Sequence, residues 1–215
     1  MELLAAGRAS QVYALDDARV LRRCAWDVAA EARLMTYLRG HGYPLPEVHE
    51  AEGGDMVMQR LAGPTLAAAM AAGETTSAQA ARIQDDLLAA LAAIPVPDWL
   101  PTEARGIDLG APSAILHLDL HAQNVLLTAE GPFAIDWTNA AAGDPAIDRA
   151  VSWTIIAELD AAAFPVDLAP LRDLLARDLP AAAVATALRY READPNTTPE
   201  EHARARSRAA GLVNP

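Results

Sequence analysis

The chain changes character at Gly63-Pro64, and that break limits the folds open to it. Before it, short β-type runs alternate with turn residues. Glu2 to Ala5 is followed by Gln11 to Leu15, joined through the small, flexible Gly7-Arg8-Ala9-Ser10 as a hairpin. Asp16-Asp17 turns the chain into a third run, Ala18 to Arg23, whose period-2 alternation puts Val20 and Arg22 on one face. A helix is predicted over Val28 to Leu38, with Glu31 in its first half; Pro44 and Pro46 stop it, and Gly53-Gly54-Asp55 turns into the strand Met56-Val57-Met58. Beyond Pro64 the pattern is helical and alanine-rich. Helices are predicted at 65–72, 77–94, 145–159, 168–177 and 181–191, and the second carries Ile83, Leu87, Leu88, Leu91 and Ile94 as its apolar stripe. A last helix follows Thr198 as N-cap, Pro199 at the first helical position and Glu201 as the partner of a capping box. The loop-like stretch Pro95 to Pro112 leads into β-like segments at Ala114 to Leu118, Asn124 to Thr128 and Phe133 to Trp137. This segregation predicts an α+β fold, with a small β-rich lobe over residues 1–62 and a larger, mainly helical one over 63–215.

Composition narrows the chemistry. All 17 basic residues are arginine, so lysine-based phosphate binding, Schiff-base formation and a lysine general base are excluded in their usual forms. With 29 acidic residues the net charge is -12, which repels nucleic acid and anionic membrane surfaces and favours cationic small molecules, although the same charge also serves solubility. Cys24 is the single cysteine, which rules out an intramolecular disulfide and a cysteine metal cluster. The first residues lack the basic-then-apolar order of a signal peptide, and no apolar run is long enough to span a bilayer, so a cytoplasmic location is expected.

One segment carries most of the chemistry: His117-Leu118-Asp119-Leu120-His121-Ala122-Gln123-Asn124, followed by Ile135-Asp136-Trp137. Asp119 suits the receipt of a hydroxyl proton, Asn124 five residues on suits a divalent ion, and Asp136 follows a hydrophobic strand. Phosphoryl transfer needs these parts, because the protein's work there is to position nucleotide, metal and acceptor while neutralising charge. The β-rich first lobe and the flanking hydrophobic strands fall in the matching order.

On these residues the chain resembles the aminoglycoside phosphotransferase family, the small-molecule branch of the protein-kinase-like fold. The similarity runs from about Leu4 to Ala157 and is most specific between His117 and Ala150. It implies a two-lobe fold with a nucleotide-binding N-lobe over residues 1–62 and a catalytic, acceptor-binding C-lobe over 63–215. It further implies a kinase that moves the γ-phosphate of ATP or GTP, with Mg2+, to a hydroxyl of a small molecule such as an aminoglycoside-like or other cationic alcohol. By the resemblance Asp119 is the catalytic base, Asn124 and Asp136 hold magnesium, and His117 braces the loop. Arg22 and Glu31 serve the phosphates, the Gly7 to Ser10 loop covers them, and Met58 to Leu61, with Arg60, forms the hinge that meets the base. Gly143-Asp144-Pro145 resembles the helix start behind the site, where Asp144 reads as an N-cap and Asp144 and Asp148 as scaffold rather than catalysis.

The chain departs from the family at three points. Leu118 and Ala122 stand where glycine and proline are common. Arg22 replaces the family's lysine; a guanidinium keeps the charge but is longer, planar and forked, which rearranges its pairing with Glu31 and the phosphates. The chain is also shorter after Trp153, where the acceptor-shaping helices lie, so Glu158, Asp160 and Asp167 are left without a substrate role. Two other readings of the residues stay open. If the segment is a strand, His117, Asp119 and His121 share a face and with Asp136 could ligate zinc or a two-metal hydrolase centre. With Arg22 in the lysine's place, the chain could also be a degenerate kinase fold that binds nucleotide without transferring phosphate. The acceptor, the choice between ATP and GTP, and the oligomeric state are not legible.

Overall fold

The computed structural model describes residues 1–7 and 10–213. In chain order the elements are β1 Glu2–Ala6, β2 Ser10–Ala14, β3 Arg19–Cys24, α1 Ala29–Gly40, β4 Val48–Glu52, β5 Asp55–Gln59, α2 Leu66–Ala71, α3 Ser77–Ala92, β6 Glu103–Ala104 and β7 Ile107–Asp108. There follow β8 Ala114–Leu116, β9 Val125–Thr128, β10 Gly131–Ala134, β11 Ala141–Gly143, α4 Pro145–Glu158, α5 Ala169–Leu175, α6 Ala181–Glu192 and α7 Pro199–Val213. The fold is α+β, and the chain divides into two compact units: Met1–Pro64 with Leu126–Thr138, and Thr65–Val125 with Asn139–Pro215.

The first unit is an antiparallel sheet in the order β1-β2-β3-β5-β4. Its central strand β3 buries Val20, Leu21 and Arg22 in succession, so both of its faces are covered. Arg22 lies opposite Val12 on one side and Met56 on the other. Helix α1 lies against β4 and buries Leu34, Met35, Leu38 and Glu31. Strand β4 was not expected from the sequence. Four of its five residues are exposed, so it has no buried alternating face, and pairing with β5 is what holds it extended. The β9–β10 hairpin is bound into this unit through Leu127 N–H to the Pro64 carbonyl and Ala134 N–H to that of Pro44, both at 2.9 Å. A Cβ on Gly63 would sit 1.8 Å from the Leu127 carbonyl oxygen, so only glycine permits that approach.

The second unit is built around α4, which packs against α3, α5, α6, α7 and β8. Nearly every α4 side chain from Ile147 onward is buried, polar ones included, because other elements enclose the helix. Asp144 caps it, accepting from Ala146 N–H at 2.9 Å, with Pro145 in the first turn. The Thr198–Glu201 capping box at the start of α7 is present in both directions, and a second joins Thr76 and Gln79 at the start of α3. In α3, Leu87, Leu88 and Leu91 are buried as the stripe predicts, while Ile83 is half-buried and the neighbouring Gln84 is fully enclosed.

Candidate active site

In the second unit, β8 pairs with β11 and delivers the chain to His117. A Cβ on Gly143 would lie 2.7 Å from Leu109 and Leu116 atoms, so glycine is what allows β11 to lie this close. The strand stops at Leu116 rather than running to Leu118, because Leu118 takes a left-handed conformation with φ of 62°. Asp148 on α4, only 3% exposed, holds that turn: its two carboxylate oxygens accept from His117 N–H at 2.8 Å and Leu118 N–H at 2.7 Å. Burial pushes the Asp148 carboxyl up to about 6, against the pull of these two donors. Asp148 therefore shapes the loop rather than reacting. From α3, Gln84 Nε2 donates to the Leu120 carbonyl at 2.9 Å and braces the other side.

The loop then closes on itself. His121 Nδ1 accepts from Gln123 N–H and starts a 3-10 turn over Ala122–Asn124. Asn124 Nδ2 donates back to Asp119, to its carbonyl at 3.0 Å and to its Oδ2 at 3.3 Å. The H-x-D-x-H segment is consequently no strand, His117 is fully buried, and no cluster of His, Cys, Asp and Glu suited to a metal occurs among the described residues; the zinc-hydrolase alternative does not stand.

Sequence reasoning missed the basic flank of Asp119. Arg191 of α6 places Nη1 3.8 Å from Asp119 Oδ1. Its Nε and Nη2 are clamped by the buried Glu158 carboxylate, the shortest contact being 2.7 Å, and Nη1 also faces Asp194 at 3.4 Å. Arg105, at the tip of the β6–β7 hairpin with φ of 53°, pairs with Asp194 at 3.1 Å and lies 4.3 Å over the Tyr190 ring. Burial opposes the Arg191 charge, but Glu158, Asp119 and Asp194 together hold it above the ordinary arginine range. Glu158 thus neutralises an arginine. Asp167, through Oδ1, receives Ala169 N–H at the start of α5.

The first unit assembles the other predicted group. Arg22 Nη1 donates to Glu31 Oε1 at 2.5 Å, and Nη2 donates to Thr138 Oγ1 at 2.8 Å and to Asp136 Oδ1 at 3.2 Å. Burial opposes the charge on Arg22, yet Glu31 and Asp136 hold its pKa above the ordinary value. Glu31 Oε1 also accepts from Trp137 N–H at 3.1 Å, which fixes the backbone just past Asp136. Strand β10 ends at Ala134, short of the expected Trp137, because Asp136 is left-handed with φ of 65°. Thr138, which the sequence did not single out, touches Arg22, Asp136 and Glu31 at once.

The remaining expected nucleotide contacts are backbone-ordered. Ser10 pairs with Cys24 and accepts Gly7 N–H through its carbonyl at 2.8 Å; Arg8 and Ala9 of that loop lie outside the described residues. Met58 is half-buried opposite Val20. Arg60 donates its N–H to the Ala18 carbonyl at 2.7 Å and its guanidinium to the Asp16 carbonyl at 3.1 Å. Arg23 is paired with Asp55 through two contacts of 2.6 and 2.7 Å.

The profile of the phosphotransferase enzyme family matches residues 96–181, the stretch that holds Asp119, Asn124, Asp136 and Asp148. Over that stretch, 86 of the chain's 215 residues, the chain is similar to that family. No curated protein sequence matches this chain. Solved structures similar to it include ADP-bound aminoglycoside phosphotransferase APH(2'')-Ib, at 14% identity and a TM-score of 0.62 over 99% of this chain and 91% of that one. Macrolide 2'-phosphotransferase MphH from Brachybacterium faecium aligns at 19% identity and a TM-score of 0.54, covering 99% of this chain and 84% of its own. An ethanolamine kinase from Plasmodium vivax aligns at 10% identity and a TM-score of 0.55, covering 98% and 81%. The chain accordingly has the protein-kinase-like fold of these structures. Among the described residues no helix is long and apolar enough to cross a membrane.

Proposed function

We propose that the protein transfers the γ-phosphate of a magnesium nucleotide to a hydroxyl of a small molecule. The observation that carries this reading is the state of Asp119: a carboxylate held by Asn124 on one oxygen and faced by Arg191 at 3.8 Å on the other, on a loop whose backbone is pinned by Asp148. Asp119 is held in place through both carboxylate oxygens, as a group must be that receives the acceptor's proton while phosphorus is transferred.

Each unit carries a side-chain oxygen of the kind that a magnesium ion takes as ligand. Asn124 commits its Nδ2 to Asp119, so its Oδ1 accepts no hydrogen bond from another described residue. Asp136 commits Oδ1 to Arg22 and Thr138, and its Oδ2 takes no hydrogen bond from another described residue. Hard divalent cations take such oxygen ligands. When bound, magnesium supplies charge neutralisation on the phosphates. The chain's own residues do the rest: Arg22, oriented by Glu31, meets the phosphates, and Ser10, Met58 and Arg60 line the nucleotide side.

The acceptor is an alcohol. The aminoglycoside, macrolide and ethanolamine kinases of like fold mark the range of acceptors to search. Because Glu158 and Asp194 are spent on Arg191 and Arg105, they offer a polycationic acceptor no unpaired carboxylate. Calorimetry with a non-hydrolysable nucleotide should show magnesium-dependent binding, and a transfer screen with ATP and GTP over hydroxylated antibiotics, sugars and amino alcohols should find the acceptor. Asp119→Asn should then lower turnover by about a hundredfold or more while leaving nucleotide affinity near wild type. Absence of magnesium-dependent binding, or turnover that survives Asp119→Asn, overturns the assignment.

A further inference from the structure

We propose that Thr138 is a positioning residue that orients the Asp136 carboxylate for magnesium, an inference that rests on the phosphotransferase reading. Thr138 Oγ1 lies 3.0 Å from Asp136 Oδ1, 2.8 Å from Arg22 Nη2 and 3.2 Å from Glu31 Oε2. Thr138 is itself exposed, so no burial of its side chain in the core imposes these contacts.

The need for such a residue comes from Asp136. Its side chain is 45% exposed, and its φ of 65° is one that residues other than glycine seldom adopt. A short carboxylate in that setting has little packing to choose its rotamer, while magnesium demands near-ideal octahedral geometry and rewards ligands already in place. Arg22 Nη2 supplies one donor to Oδ1, but at 3.2 Å, and the same guanidinium is drawn to Glu31 at 2.5 Å.

The Thr138 hydroxyl changes that balance. It has one proton and two lone pairs, so it can accept from Arg22 Nη2 while donating to a carboxylate. Of the two carboxylates in reach, Asp136 is the closer. The hydroxyl therefore relays the arginine's pull onto Oδ1 and leaves Oδ2 turned outward as the ligand atom. Valine has the same shape without the relay, and serine keeps the relay without the methyl group.

The test uses the full chain and a non-hydrolysable ATP analogue, titrated by calorimetry with magnesium and again with EDTA. In wild type, magnesium should strengthen binding. Thr138→Val should lose roughly tenfold of that gain while its affinity in EDTA stays at the wild-type level, and Thr138→Ser should restore the gain, a pattern expected when one charge-assisted contact is removed from a preorganised ligand. Retention of the full magnesium gain in Thr138→Val overturns the proposal. So does an equal loss in EDTA, which would place the effect on Arg22 and the phosphates rather than on magnesium, or a failure of serine to restore the gain. A wild-type protein that gains nothing from magnesium, with or without nucleotide binding, overturns the functional reading itself and this inference with it.

Discussion

Leu118 should reverse the usual order of alanine and glycine. Its φ of 62° places a bulky side chain in the left-handed region, at a cost of about 1–2 kcal/mol per L-residue, and its side chain is completely buried. Both Leu118→Ala and Leu118→Gly forfeit that burial, about 2–5 kcal/mol for a leucine truncated in a core. Alanine keeps the Cβ and the strain, whereas glycine sheds it. In ordinary backbone glycine is less stable than alanine by roughly 0.5–1 kcal/mol; here relief of strain exceeds that entropic cost, and the glycine variant should be the more stable of the two by a few tenths to 1 kcal/mol. Equilibrium urea unfolding of the three proteins, at matched m-values, measures the difference directly. If the glycine variant is less stable than the alanine variant, the left-handed turn does not carry the strain argued here. The resemblance explains why this position matters: glycine is common there in the family, and this chain holds leucine in the same turn by burying it and by anchoring the two backbone N–H groups on Asp148.

Asp148 itself predicts a pH dependence. Its folded pKa of about 6 lies above the ordinary 3.8, so the stability that neutral Asp148 contributes is complete below pH 3.8 and is lost as pH rises through 6, by about 3 kcal/mol. The stability of wild type relative to Asp148→Asn should fall by most of that amount, about 2 kcal/mol, between pH 4 and pH 7 in urea titrations, and a flat difference would refute it. Arg191→Ala should cost about 3–5 kcal/mol, because it leaves the buried Glu158 carboxylate unpaired; a thermal midpoint within a degree of wild type would show that pairing to be dispensable. Arg22→Ala should lose about 2–4 kcal/mol of transition-state stabilisation in whatever transfer reaction the screen identifies. Arg22→Lys should be impaired too, since one ammonium cannot reproduce the fork that reaches Glu31 and the Asp136–Thr138 pair; full activity in the lysine variant would contradict this, and a degenerate fold would be inactive in every form.

What the sequence determined by itself was local or chemical. The absence of lysine, the spacing of Asp119, Asn124 and Asp136, the β-to-helical change at Pro64 and the capping residues Asp144 and Thr198 are all readable without coordinates, because each depends on residue type and short separations. Tertiary structure alone decided the rest. Strand β4 carries no buried alternating face, and pairing with β5 makes it a strand. Leu118 and Asp136 look like ordinary loop and strand positions in sequence, and it is contacts with residues distant in sequence, Asp148 for one and Arg22 for the other, that accompany their left-handed turns. Arg191 reaches Asp119 from a helix 72 positions further along the chain, clamped by Glu158 from another helix. No pattern in residue type marks such an arginine, since its role follows from helix packing, which sets which of 17 chemically identical side chains ends beside the base.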